Sequence, residues 1–250
     1  MALEPFQRSA ETDLNLSKLT FFHGAKSSED AAVIARMGFR VDFHDSDGRW
    51  MRDGNLGIGV YLTCNWKTAL WFGQVLLRVS LIEGTRIFDA SPAPDRNVLD
   101  GLTRRFGREV LTSNNPLRAI PSNKSLTFEE LTALTRFHYK HTWAPRADNA
   151  LAWDKKRIHH MRALRHCVSQ LKKFGFHGYG DPVDDNGIVI FQPDRVRLDE
   201  VVADIPPHDY SILVDCVRLS GLTMTELRTM YPQLQTLKGA RQKKSRRASP

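Results

Sequence analysis

The chain has 250 residues, 41% of them hydrophobic, enough for one large or two small water-soluble domains. No apolar run is long enough to span a bilayer, and residues 1–18 lack the apolar stretch of a secretory signal. The three cysteines, Cys64, Cys167 and Cys216, are odd in number and unpaired in spacing, which argues against a disulfide framework or a cysteine zinc site and for a cytoplasmic protein. The formal net charge of +8 favours anionic partners, with part of it in the basic, disorder-prone stretch 238–247.

In chain order, Leu19-Thr20-Phe21-Phe22 is a short β-type run ending at His23-Gly24. Residues 29–37 follow as a helix, capped by Ser27 or Ser28 and stopped by Gly38. Alternation predicts a strand over 39–43, and the Asp- and Gly-rich stretch 44–55 reads as a loop. Gly57-Ile58-Gly59 leads into Val60-Tyr61-Leu62-Thr63, a turn entering a buried strand. Asn65 is an N-cap residue for a short helix expected to carry Ala69, Trp71 and Phe72. Residues 74–83 form the clearest strand, Gly84 punctuates it, and 86–89 resumes extended pairing.

From 90 to about 145 the pattern is helical and broken by prolines, with one amphipathic segment over 128–138. Residues 149–174 form the longest helix, basic on its outer faces and closed by Gly175. An acidic turn, Asp181-Pro182-Val183-Asp184-Asp185-Asn186-Gly187, precedes the strand Ile188-Val189-Ile190-Phe191. A further strand over 196–202 closes the core, and Pro206-Pro207 marks a boundary before one or two helices in 210–231.

His23, Tyr61 and the acidic turn lie in separate β-type segments and could converge on one cleft. A histidine can hydrogen-bond a ribose hydroxyl, an aromatic ring can stack on a heterocycle, and a carboxylate can stabilise a positive sugar ring. Taken singly, each has an ordinary structural reading: a hydrogen-bonded histidine, a core tyrosine, a solvated turn. His159, His160 and His166 do not make a metal site by spacing, because only His159 and His166 share a helix face. Gly54, Gly57 and Gly59 do not complete the dinucleotide fingerprint, so a Rossmann site is not expected.

Phe22-His23-Gly24-Ala25, the helix ending Met37-Gly38-Phe39, Gly57-Ile58-Gly59-Val60-Tyr61-Leu62-Thr63, Thr68-Ala69-Leu70-Trp71 and Gly187-Ile188-Val189-Ile190-Phe191 resemble the poly(ADP-ribose) polymerase-like, diphtheria-toxin-like ADP-ribosyltransferases, including bacterial members. The resemblance spans residues 19–203 but rests on these short motifs. It implies an α+β fold of two small twisted antiparallel sheets forming an NAD cleft. Within it, a catalytic domain over 19–205 would follow an arm of 1–18 and hold a helical insertion at 90–174. A helical extension at 206–237 and a basic tail at 238–250 would complete the chain. By carry-over, His23 would contact the adenosine-side ribose hydroxyl of NAD and the Gly24 backbone would pair with the nicotinamide carboxamide. Tyr61 would pack on the nicotinamide side, Thr68 would stand where a carboxamide-binding serine often lies, and Trp71 would stand for a second stacking ring.

The departure is at the acid. The family's glutamate before the last core strand aligns with Gly187; Asp185 lies two residues upstream, about 6.6 Å away along a regular strand. A curled turn would be needed for Asp185 to serve as the acid. The implied activity is therefore transfer of a single ADP-ribose from NAD to a macromolecular acceptor, nucleic acid or acidic protein, in a toxin or anti-phage setting. The alternative is a catalytically silent module that binds NAD, ADP-ribose or nucleic acid. A phosphotransferase of the same fold lacks its arginine motifs here.

Overall fold

The computed structural model describes residues 13–14, 16, 19–40, 59–112, 116–143, 150–182, 187–215 and 221–232. The described residues form an α+β protein with two small sheets, of three and four strands. The chain divides into two compact units. One, rich in helices, contains Arg86–Asp181 together with Asp13 and Leu14; the other, rich in strands, contains the described residues 16–40, 59–85 and 187–232.

In the strand-rich unit, β1 (Phe21–Ala25), β3 (Val75–Leu81) and β7 (Val196–Asp204) form an antiparallel sheet with β3 in the centre. Val75, Leu76 and Leu77 are all buried, which is why β3 opens as an apolar run, and alternation begins only at the exposed Arg78. β2 (Val60–Leu62) pairs antiparallel with β6 (Ile188–Ile190) in the second sheet. Helix α1 (Ser28–Met37) is capped by Ser27, whose side chain accepts from the Asp30 N–H, and ends at Gly38 with φ 83°. Helix α2 (Trp66–Leu70) is capped by Asn65, which accepts from the Lys67 N–H. α2 stops at Leu70, so Trp71 is its C-cap and Phe72 lies beyond it; the two rings are 68% and 63% exposed. The expected helix carrying Trp71 and Phe72 is thus corrected, and a core role for either ring is excluded.

The expected strand over 39–43 is not seen at 39 and 40, where the chain is irregular; its remainder, the loop 44–55, Gly57 and Ile58 lie outside the described residues. So do Asp184, Asp185 and the basic tail.

The helices after Pro206 are built into the strand-rich core. They are α8 (Pro207–Asp215) and α9 (Met224–Met230) in chain order. Leu213 and Leu227 are buried in one cluster with Phe22, Leu70, Leu76 and Ile205. The Tyr210 hydroxyl donates to the Leu70 carbonyl at 2.6 Å.

In the helical unit, β4 (Ile87–Asp89) and β5 (Gly178–Gly180) pair parallel. This corrects the expectation of purely antiparallel sheets. The chain leaves β4, makes α3 (Arg96–Phe106), α4 (Glu109–Thr112), α5 (Pro116–Ala119), α6 (Phe128–Trp143) and α7 (Ala150–Lys173), and returns in the original direction. A crossover of that kind is what a parallel pair requires. α6 packs on α7 around buried Leu131, Leu134, Leu164, Cys167 and Leu171. Phe88 meets Phe176 edge-on at 5.5 Å. The Arg86 guanidinium lies 4.5 Å from the Phe176 ring centre and grips Asp13 through two hydrogen bonds of 2.9 Å, which fixes Asp13 beside β4. No described helix is long and apolar enough to cross a membrane.

Candidate functional site

In the strand-rich unit, β1 and the end of β2 touch at one rung. Phe22 and Thr63 exchange both backbone hydrogen bonds, Phe22 N–H to Thr63 O at 2.8 Å and Thr63 N–H to Phe22 O at 3.1 Å. This bridge is isolated and does not continue into a ladder. One residue on, the Tyr61 carbonyl instead meets His23 Nδ1 at 2.9 Å. A carbonyl can only accept, so Nδ1 carries the proton and the neutral imidazole keeps its lone pair on Nε2. Phe39, just past α1, holds the ring edge-on at 5.2 Å. Burial lowers the His23 pKa below its usual 6.5, against the smaller opposing pull of the Tyr61 carbonyl. His23 is therefore a neutral hydrogen-bond acceptor at physiological pH.

Gly24 follows with its backbone turned to the same edge as Phe22. In an antiparallel ladder, bonded and non-bonded pairs alternate. Phe22 spends both its polar groups on Thr63, so the N–H and C=O of Gly24 also face away from β3. Only glycine fits there: a Cβ would stand 2.0 Å from the Ala69 carbonyl oxygen and 2.9 Å from the Gly73 nitrogen. β1 is thereby pressed against the end of α2. Thr68 is buried on that helix, and Trp71 is exposed at its end. Tyr61 is half-buried, directly across from Val189 of β6.

The acid position is closed by the backbone. Gly187 has φ +64°, and a Cβ on it would lie 2.1 Å from the Leu62 carbonyl oxygen. No glutamate can occupy this position without moving β2 or β6. Asp185, the residue expected to supply the acid, lies outside the described residues.

The structure thus brings His23, Gly24 and the Tyr61 carbonyl to one seam, with Thr68 on the adjoining helix and Trp71 at its C-cap. Three contributors were not anticipated. Phe39 braces His23, Tyr210 holds the Leu70 carbonyl of α2, and Asp204 is buried at the end of β7, accepting from the Ser28 hydroxyl at 2.8 Å. Sequence signals existed only for Phe39, which follows the Gly38 stop of α1. Tyr210 and Asp204 are linked to their partners by 140 and 176 residues of chain, beyond any local pattern.

In the helical unit, His160 turns inward to His138, Nδ1 to Nδ1 at 2.9 Å, while His159 and His166 are exposed. Among the described residues no group of three or more His, Cys, Asp or Glu is placed to hold a metal ion. No protein-family model, curated protein or solved structure matches the chain.

Proposed function

We propose that the strand-rich unit transfers one ADP-ribose unit from NAD to a macromolecular acceptor, a nucleic acid or an acidic protein. The observation that carries this reading is the seam where β1 and β2 part. His23 and the Tyr61 carbonyl, 38 residues apart in the chain, meet there beside a glycine whose amide faces away from β3.

These residues fit the substrate's chemistry. The Gly24 N–H and C=O are complementary to a carboxamide, which offers one acceptor and two donors. His23 Nε2 accepts a hydrogen bond from a ribose hydroxyl, and its low basicity keeps it in that role. The Tyr61 ring packs on the nicotinamide side and excludes water. Together they hold the glycosidic carbon still while its bond to the nicotinamide nitrogen breaks. The bonding pair leaves with nicotinamide, positive charge spreads over the sugar ring, and the acceptor's nucleophilic atom closes the new bond and loses its proton. Asp185 is the carboxylate assigned to stabilise that charge. Gly187, with no side chain, favours a single transfer over chain building.

A second reading, a silent module that binds NAD or ADP-ribose, is favoured by the same Gly187 backbone, which excludes the family's acid from its usual place. Incubation of the purified protein and a cell extract with NAD labelled in the adenylate half separates the two. Nicotinamide release with label retained on protein or RNA is the expected result. A rise in Tm with NAD but no nicotinamide release would establish the silent module instead.

A further inference from the structure

We propose that the exposed face of α7 is a docking surface for a nucleic-acid strand, held through its phosphates. The proposal is independent of the NAD chemistry, because every residue it uses belongs to the helical unit.

Residues 155–180 contain no Asp or Glu. Along the outer face of the helix, Lys155, His159, Arg162, His166, Ser169 and Lys173 recur at intervals of four, three, four, three and four, and all six are exposed. That spacing keeps them on one stripe. Lys156, Arg165 and Lys172 are exposed on its flanks. Lys155 and Lys173 are separated by about 27 Å at 1.5 Å per residue. The stripe carries three exposed cations over that length, one per about 9 Å, and three more stand on its flanks, against roughly 3.4 Å between charges along one strand of a duplex. His159, His166 and Ser169 add polar groups between the cations, of the kind that bond phosphate oxygens and sugars. Among the described residues, Lys155, Arg162 and Lys173 make no ion pair with a carboxylate of the protein.

The other anionic surfaces fit less well. A membrane-surface helix needs an apolar face to bury among lipids. The apolar face of α7 is already used: Ala163, Leu164, Cys167, Val168 and Leu171 are buried, and Ile158 is the one large apolar side chain exposed on its described part. An acidic protein would not call for a stripe of cations and neutral polar groups drawn out over five turns of helix.

The test is fluorescence anisotropy with the full-length protein and three labelled probes: a 20-nucleotide single-stranded RNA, and 20-base-pair RNA and DNA duplexes, between 50 and 200 mM KCl. The triple variant Lys155→Gln, Arg162→Gln, Lys173→Gln changes only exposed side chains and is checked for an unaltered Tm. A single Arg162→Glu variant serves if the triple one does not fold. The expected result is salt-dependent binding, at least about tenfold weaker in the triple variant, with the slope of log K against log salt reduced by about 2 to 3 as three phosphate contacts are lost. The tighter probe identifies single strand or duplex, RNA or DNA. Three results overturn the proposal: no binding at 50 mM KCl; equal binding by wild type and helix variant, with loss only when Lys243, Lys244, Arg246 and Arg247 are replaced by Ala; or displacement by poly-glutamate as readily as by nucleic acid.

Discussion

The two ring nitrogens of His23 differ: Nδ1 is spent on the Tyr61 carbonyl, which fixes the ring, and in the proposed reaction Nε2 is the acceptor for NAD. Burial holds the imidazole's pKa below 6.5, so the neutral form persists as pH falls through that value. In the transferase account, the acid limb of nicotinamide release therefore lies below 6.5. An inflection at 6.5 or above in kcat/KM would show that His23 is not the titrating group. Replacement His23→Ala removes an acceptor and should lower kcat/KM about 10- to 100-fold, with His23→Gln retaining more, since an amide oxygen still accepts. Gly187 is constrained in the opposite sense. Gly187→Glu, which writes back the family's acid, has to leave φ +64° or push the Leu62 carbonyl away. The expected outcome is no chain building and a loss of at least about 2 kcal/mol in chemical unfolding. A stable, polymer-forming variant would show that the seam opens freely.

At the scale of elements, the caps and periods visible in the sequence are those the fold uses. Ser27 and Asn65 start their helices, the apolar run 75–81 is the central strand, and α7 ends before Gly175. These signals are local, set by one side chain and the backbone within a turn of it. What stayed hidden was pairwise. The residues of β4 and β5 give no hint that they lie parallel, because the direction of a pair is decided by the long helical excursion between them. Trp71 and Phe72 were expected on a helix, yet α2 stops one residue earlier and leaves both rings outside. Gly24 and Ala69 are 45 residues apart in the sequence, and only the fold shows that the glycine exists to let β1 touch α2.

The α6–α7 pair carries a further consequence. His138 is held down to about 3 by burial, then by the imidazoles of His160 and His141, with the Val110 carbonyl pulling the other way. His160 is held down to about 4 by burial, then by His141, His159 and Lys156. His138 Nε2 is buried without a hydrogen bond. Both rings are thus less basic folded than unfolded, so unfolding takes up protons below pH 6.5. Their contribution to stability is fully present above 6.5 and is lost as pH falls toward 4 and then 3. Thermal unfolding should show Tm declining from pH 6.5 downward, with a shallower decline in His160→Gln. A pH-independent Tm between 6.5 and 4 would contradict the packing described for these rings.

The molecule as a whole divides its tasks between units. The residues proposed to handle NAD lie in the strand-rich unit, and the basic helix face lies in the helical one. The helices after Pro206 belong to the strand-rich core, where Leu227 is fully buried and Tyr210 anchors α2. A net charge of +8 favours polyanionic partners without choosing among them, because charge attracts without selecting. The transferase reading requires His23 and Gly24 to grip NAD together, one at a ribose hydroxyl and the other at the nicotinamide carboxamide. Isothermal titration of NAD into the purified wild-type protein and into His23→Ala, with nicotinamide assayed in the same samples, tests this most directly. Saturable binding and nicotinamide release by the wild type, both weakened at least tenfold in the variant, is the predicted result. Absence of NAD binding by the wild type, or identical binding by both proteins, would contradict it.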